Sequence, residues 1–451
     1  MPEFTDTIAA VATPSGTSAV ALVRVSGSDT ARIAGELLGA SPPPRRVLHR
    51  DYRTCSGEVI DDVLGVFFAG PHSYTGEDSL EISSHGNPFI AQKILEDLFA
   101  RGCRAAHPGE FTQRAFLNGR MDLSQAEAVM DLIHARSDRA LEAANQLLRG
   151  SLGRRMNGLI EGLLQALARV EAYIDFPDED LPPEDRAIVE RDLERLTRET
   201  ENLLATARYG ELLRDGVKTV IIGAPNVGKS SLLNRLVGKE RALVSPEPGT
   251  TRDFIEERVI VGPHCLRLID TAGLNSSPAP LERLGMEKTL ERAAEANLFL
   301  VVLSHDTREV VLPDGLSEAM IAGKSIIVLN KSDLALREPA TLKFGDVPIL
   351  RVSALTGAGI DQLRQAITEQ IDRFAEPVDG DLVAINARHA HALASAKSAL
   401  ASALENLRTK GPVELLSSDL NAALSSYGDI AGRVDNERML DALFETFCIG
   451  K

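Results

Sequence analysis

Residues 223–230 read Gly-Ala-Pro-Asn-Val-Gly-Lys-Ser, which fits the pattern G-x-x-x-x-G-K-[ST]. Glycines at these places let backbone N–H groups close around a β-phosphate, and a following helix offers its positive N-terminal end. Lys229 would reach the β- and γ-phosphates, and Ser230, followed by Ser231, would ligate Mg²⁺. Asp270-Thr271-Ala272-Gly273 comes next. Asp270 is placed to hold the metal through water, and Gly273 to give its N–H to the γ-phosphate and report its loss. Asn330-Lys331-Ser332-Asp333 follows. A carboxylate at 333 can accept paired hydrogen bonds from guanine N1–H and the 2-amino group. Adenine offers no such pair, and a site built on hydrogen bonds rejects the wrong base because its own groups go unpaired. Ser353-Ala354-Leu355 would supply a backbone donor to guanine O6. Three motifs in this order imply a switch domain that binds GTP and GDP with Mg²⁺.

The hydrolytic water lacks an obvious partner. Leu274 stands after Gly273, where a Ras-like site would carry a water-orienting glutamine, and no arginine finger is legible. An apolar residue cannot position water, so another group must complete the catalyst. Asn226 offers an amide oxygen that could bind a monovalent cation beside the β–γ bridging oxygen. Its other reading is turn stabilisation, a common task for Asn. Residue chemistry alone does not choose between them.

Strands must hold these motifs. An apolar run precedes each one: Lys218–Ile222, Cys265–Ile269 and Ser325–Leu329, with Val347–Val352 ahead of Ser353. Phosphate loops belong at the carboxyl ends of parallel strands, so residues 216–376 read as one α/β nucleotide domain. Both flanks read as helix, from Leu123, Ala126, Val129, Met130 and Ile133 through Leu159, Leu163, Leu167 and Val170. An acidic, proline-bearing break at 176–183 interrupts them. Helical patterns resume at 187–214 and again at 384–407 and 412–425. The expected architecture is multidomain α/β plus α. It comprises an N-terminal α+β domain over 1–118, a helical domain over 119–215 and 377–451, and the inserted P-loop domain. In the first of these, 19–25, 63–68 and 80–82 read as strands and 90–101 as a helix. The polar stretches 73–78, 84–86 and 108–120 read by themselves as turns or caps.

Composition narrows the class. Of 451 residues, 65 are acidic and 49 basic, a formal charge of −16, so the chain is a poor general binder of nucleic acid unless a local patch or a partner supplies one. Cys55, Cys103, Cys265 and Cys448 are widely spaced, without a metal-binding pattern, and fit a reduced cytosolic setting. No apolar run approaches the ~18 residues of a membrane span, and the N-terminus lacks an apolar signal core. A cytoplasmic, membrane-free protein is expected.

Several segments resemble the tRNA-modification GTPase MnmE (TrmE) family. They are Asp6-Thr-Ile-Ala-Ala, Arg24-Val-Ser-Gly27, Tyr74-Thr-Gly-Glu-Asp78 and His85-Gly86. The likeness continues in Pro108-Gly-Glu-Phe-Thr and its continuation to Val129, Asp175-Phe-Pro-Asp-Glu, Gly249-Thr-Thr-Arg-Asp253 and the terminal Phe447-Cys-Ile-Gly-Lys451. The resemblance runs end to end. It implies a folate-binding, dimerising N-terminal domain, a helical domain and an inserted G domain. It also implies a homodimer and a flavoprotein partner, MnmG, in a heterotetramer. With that partner the family modifies C5 of the wobble uridine (U34) of certain tRNAs, using a one-carbon unit from a tetrahydrofolate derivative (5-formyl- or methylene-tetrahydrofolate).

The resemblance also assigns residues. Arg24, Glu81, Arg120 and Lys451 match folate contacts, Arg120 standing where a lysine is common. Asn226, Ser245, Glu247 and Thr250 match the potassium site, whose loop here carries Pro246 and Pro248 and leads into Gly249. Thr251 matches the switch threonine on Mg²⁺, and Glu282 the residue that orients the attacking water. Val227 and Gly228 complete the nucleotide loop. Cys448 has two readings, a nucleophile or a buried thiol at a helix end. Two other classes stay open: a ribosome-assembly GTPase related through the G domain only, and a folate-dependent transferase with a spectator G domain.

Overall fold

The computed structural model describes residues 6–174, 183–224, 226–237, 257–269, 295–305, 324–334, 347–375, 383–432, 443–444, 447–448 and 450. Contacts group them into two compact units, one of 1–130, 148–160 and 427–451, the other of 131–147 and 161–426.

The first unit is built on a six-stranded sheet. Its strands are β1 (Ile8–Val11), β2 (Val20–Ser26), β3 (Val47–Arg53), β4 (Val59–Phe68), β5 (Ser79–His85) and β6 (Arg104–Ala105), in the order β3-β4-β5-β2-β1-β6. Pairing is antiparallel except between β1 and β6. Alternation follows the pleat: Val23 and Val25 of β2 and Leu80 and Ile82 of β5 are buried, whereas Arg24 and Glu81 face the other side, directly across from each other. Helices α1 (Thr30–Leu38) and α2 (Pro88–Ala100) cover the apolar face with Ile33, Leu38, Ile94 and Leu98. Asn87 caps α2, accepting from the Phe89 N–H, and Pro88 sits in its first turn.

One expectation is corrected here. Much of the polar stretch 108–120 is a helix, α3 (Glu110–Leu117), and not a turn. Its Phe111 packs with Ile8, Ala10 and Ala106, while its polar residues serve a buried ion cluster. Arg114, with 0% exposure, pairs with Asp6, Glu77 and Glu110. Arg104 pairs with Glu110 and Asp6. Burial alone would raise the Glu110 carboxyl, but hydrogen bonds from Arg104, the His107 N–H and Arg114 outweigh it and hold the group below its usual range. Buried charge with partners imitates a surface turn in a sequence, which is why periodicity missed this helix. Ser84 and His85 likewise end β5 and do not form a turn.

Helix α4 (Leu123–His134) is followed by α5 (Asp138–Leu148) and α6 (Ser151–Ile174), so the single helical stretch read from the sequence breaks into three. In the first unit Leu123 and Ala126 pack with Phe444 and Phe447 near the C-terminus. In the second, α7 (Pro183–Ala205) runs along α11 (Ala387–Arg408). Between them in sequence come α8 (Ala207–Asp215), α9 (Lys229–Val237) and α10 (Ile360–Asp372); α12 (Val413–Ala431) follows α11. Val189, Leu193, Leu196 and Leu203 face buried Leu393, Ala396, Leu400 and Ala403, and Arg408 pairs with Glu190 and Glu194 along the edge. The chain therefore leaves a helix pair, builds the nucleotide domain, and returns to the same pair.

That domain is a second six-stranded sheet. Its strands are β7 (Val217–Ile222), β8 (Glu257–Val261), β9 (His264–Ile269), β10 (Leu298–Ser304), β11 (Ser325–Asn330) and β12 (Ile349–Arg351), ordered β12-β11-β10-β7-β9-β8. All pairs are parallel except β8–β9. Both faces of the inner strands are buried, so β10 and β11 read as unbroken apolar runs. Leu300, Val302, Ile326 and Val328 face one core, shared with Leu212, Leu232, Leu236, Leu363 and Ile367 of α8, α9 and α10, and Phe299, Val301, Ile327 and Leu329 face the other. Between β9 and β10 the strand order passes to the other side of β7. A ligand crevice opens at the carboxyl ends of strands where order reverses in this way.

Candidate functional site: a guanine-nucleotide cradle and a second polar centre

The loop after β7 feeds α9, whose first residue is Lys229. The Lys229 ammonium, only 8% exposed, donates to the Gly223 carbonyl at 2.7 Å and the Ala224 carbonyl at 3.0 Å. Burial lowers its pKa. The charge thus sits inside the loop, where a phosphate would meet it together with the helix end. Gly228 has φ +94°, and a Cβ there would lie 2.3 Å from Asn330 Nδ2, so only glycine lets the loop approach β11 so closely. Asn226 also takes a left-handed backbone, φ +64°, which the turn requires. That supports its turn role and leaves its exposed side chain available for the other. Val227 is buried, and Ser230 and Ser231 are exposed at the start of α9.

Asn330 is the strap of the site. Its Nδ2 donates to the Val227 carbonyl at 2.9 Å, and its Oδ1 accepts from the Ala354 N–H at 3.0 Å. One buried amide therefore ties the phosphate loop to the loop after β12. The Ser353 hydroxyl donates to the Asp333 carboxylate and orients it. Gly228, Ser231, Asn330, Lys331, Asp333, Leu334, Ala354 and Leu355 line a cavity of about 330 Å³. Apolar Leu334 and Leu355 on its wall suit the faces of a flat base, and Asp333 suits its edge. The sequence motifs 223–230, 330–333 and 353–355 are thus brought together, Asn330 meeting Val227 from 103 residues away and Ala354 from 24.

The first unit holds a different polar centre. Arg24 Nε and Nη2 both donate to Glu81 Oε1, at 3.1 and 2.8 Å. The guanidinium lies 5.3 Å from the ring centroid of Tyr74 and 5.7 Å from that of Phe111. Its Nη1 donates to the Gly450 carbonyl at 3.4 Å, which places Gly450 beside this pair. Arg120 is exposed, and its side chain borders Gly76 in the loop that carries Tyr74.

A model of the MnmE helical domain matches residues 123–448, and a model of the GTP-binding protein TrmE N-terminus matches 7–120. The tRNA modification GTPase MnmE of Opitutus terrae is 60% identical over 455 residues, covering 100% of both chains. The proteins of that name from Akkermansia muciniphila and Symbiobacterium thermophilum are each 42% identical, covering 99% of both chains. The chain belongs to the tRNA modification GTPase MnmE family. Among solved structures, the G domain of the T. maritima FeoB iron transporter covers 36% of this chain and 99% of its own at 26% identity, with a TM-score of 0.24, too low to carry a fold argument.

As a family member the chain is a GTP hydrolase, and the cradle around Lys229, Asn330 and Asp333 is the candidate for its nucleotide site. Ser245, Pro246, Glu247, Pro248, Gly249, Thr250, Thr251, Asp270, Thr271, Ala272, Gly273, Glu282 and Lys451 lie outside the described residues. Cys448 is exposed, which corrects the buried-thiol reading; its carbonyl accepts from the Gly109 N–H at 3.3 Å. Among the described residues no helix is long and apolar enough to cross a membrane, and no group of His, Cys, Asp and Glu could hold a metal ion. Sequence reasoning did not single out the aromatic faces of Tyr74 and Phe111 against Arg24, nor the buried cluster around Arg114. No spacing rule connects such residues.

Proposed function

We propose that this enzyme couples GTP hydrolysis to modification of C5 of the wobble uridine of certain tRNAs, in the cytoplasm and together with the flavoprotein MnmG. The name shared by the full-length relatives supports the tRNA role. The observation that carries the rest is the coexistence in one chain of a base-reading cradle and a separate cation–carboxylate centre reached by the chain's own tail.

That second centre fits a reduced folate. Both Arg24 bonds use Glu81 Oε1, which leaves Oε2 without a partner among the described residues. A pterin edge carries the N–H donors a carboxylate oxygen can accept, and its glutamate tail suits Arg120 and Lys451. When bound, the folate would supply the one-carbon unit; Glu81 would orient its ring and Arg24 would hold Glu81 in place. Potassium would act beside Asn226 with Ser245, Glu247 and Thr250, in the electrostatic place of an arginine finger. Mg²⁺ would bind Ser230 and Thr251, and Glu282 would orient the water. A homodimer held by the N-terminal domains would bring two G domains together in the transition state, binding energy used there raising turnover. Mass analysis of wobble nucleosides in tRNA from a strain lacking this protein tests the reading. Loss of the C5 substituent is expected, and unchanged nucleosides would overturn it.

A further inference from the structure

The loop between β12 and α10 forms one wall of the base cavity, and its N–H groups are almost all taken. Ser353 N–H donates to the Ala358 carbonyl, Ala354 N–H to Asn330 Oδ1, Thr356 N–H to the Ser353 hydroxyl and Gly357 N–H to the Ser353 carbonyl. The Leu355 N–H has no partner among the described residues, and Leu355 is 77% exposed on the cavity wall.

The two carbonyls beside it are held from elsewhere. Arg235, near the end of α9, donates from Nε to the Ala354 carbonyl at 3.2 Å and from Nη2 to the Leu355 carbonyl at 2.7 Å. Its guanidinium sits against Gly357, where a Cβ would lie 3.7 Å from Cζ and where φ is +91°. Ala354 and Leu355 line the cavity, and Arg235 does not. The Ala354 carbonyl and the Leu355 N–H belong to one planar trans peptide, so they point in opposite directions. Holding that carbonyl outward on Arg235 turns the N–H inward.

We propose that Arg235 is a positioning residue for guanine: by fixing the Ala354 and Leu355 carbonyls it aims the Leu355 N–H at the O6 edge of the base. The inference rests on the guanine reading of this cavity and goes beyond it. The guanidinium acts through the loop and does not touch the nucleotide. Because α9 starts at Lys229, the same nine-residue helix would grip the phosphates at one end and set the base loop at the other.

Calorimetry on the full chain with GDP and with 6-thio-GDP tests this. The thio analogue keeps N1–H and the 2-amino group but replaces O6 by a weak acceptor. Arg235→Ala should weaken GDP binding roughly 5- to 10-fold, the scale of one lost hydrogen bond, and 6-thio-GDP binding less than about twofold. The wild-type preference for GDP over the analogue should shrink accordingly, and Arg235→Lys should keep part of it. Equal weakening of both nucleotides, or of neither, in the two variants would overturn the proposal; a general loss of fold would show as equal weakening and a lowered melting temperature. Wild-type protein that binds ADP as tightly as GDP would instead overturn the guanine reading itself.

Discussion

At Asp333 the geometry supports the reading of the motif as a specificity determinant. The Ser353 hydroxyl fixes the carboxylate on the wall of the base cavity, and Asn330 holds that wall to the phosphate loop. A charged acceptor reading two donors is worth more than a neutral one, because each charge-assisted bond contributes about 1.5–3 kcal/mol. Asp333→Asn should therefore weaken GTP by roughly 10- to 100-fold and relax its selection over xanthosine triphosphate. Competitive binding of the two nucleotides to the variant and the parent checks this, and equal GTP affinity in both would count against the assigned role. Asn330 shows a second lesson of residue scale: a buried amide serves here as a strap, with both of its ends used.

Elements carry the next two outcomes. His264, 2% exposed at the start of β9, bonds to Asp372 at the end of α10 at 2.9 Å, and the neighbouring Pro263 carbonyl accepts from the Arg139 N–H of α5. Burial pushes the His264 pKa below its ordinary value of about 6.5, outweighing the opposing pull of Asp372. The unfolded chain then binds the proton more readily than the folded one, so this group's stability is complete above pH ~6.5 and is lost as pH falls below it. Melting temperature should drop between pH 7.5 and 5.5, and His264→Gln should flatten that part of the slope; an unchanged slope would dismiss the assignment. The C-terminal segment makes the other case. Phe444 and Phe447 anchor it against α4, and Gly450 reaches Arg24. Deleting Gly450 and Lys451 should weaken reduced-folate binding by about one to two decades and leave GTP binding nearly unchanged. Unaltered folate affinity in calorimetry would place the tail's function elsewhere.

For the whole molecule, the open question is what completes hydrolysis. Leu274 cannot orient water, and Asn226 presents an exposed amide on a loop whose turn it also forms. Potassium should accelerate GTP hydrolysis far more than sodium, toward the factor of about 10³–10⁵ that an arginine finger supplies elsewhere. Identical rates in the two salts would mean that the loop bearing Pro246 and Pro248 does not form the ion site. In the same assembly, spectroscopic labels on paired G domains should approach one another with GDP, aluminium fluoride and potassium and stay apart with GDP alone. A monomer at micromolar concentration in the ultracentrifuge would exclude that arrangement.

The amino-acid order alone determined the nucleotide chemistry. Motifs such as Gly223–Ser230 and Asn330–Asp333 are local, and each follows an apolar run that can only be an inner strand. Helical periodicity likewise marked most of the helices, because their apolar stripes repeat within the chain. Tertiary structure decided the rest. Helix α3 hid behind Glu110, Thr112 and Arg114, whose polarity is spent on partners as distant as Asp6 and Glu77. The grip of Arg235 on the loop at 354–355, and of Arg24 on Glu81 and Gly450, joins residues separated by up to 426 positions. No periodicity encodes such meetings, since they depend on which strand ends and helix ends the folded chain sets side by side.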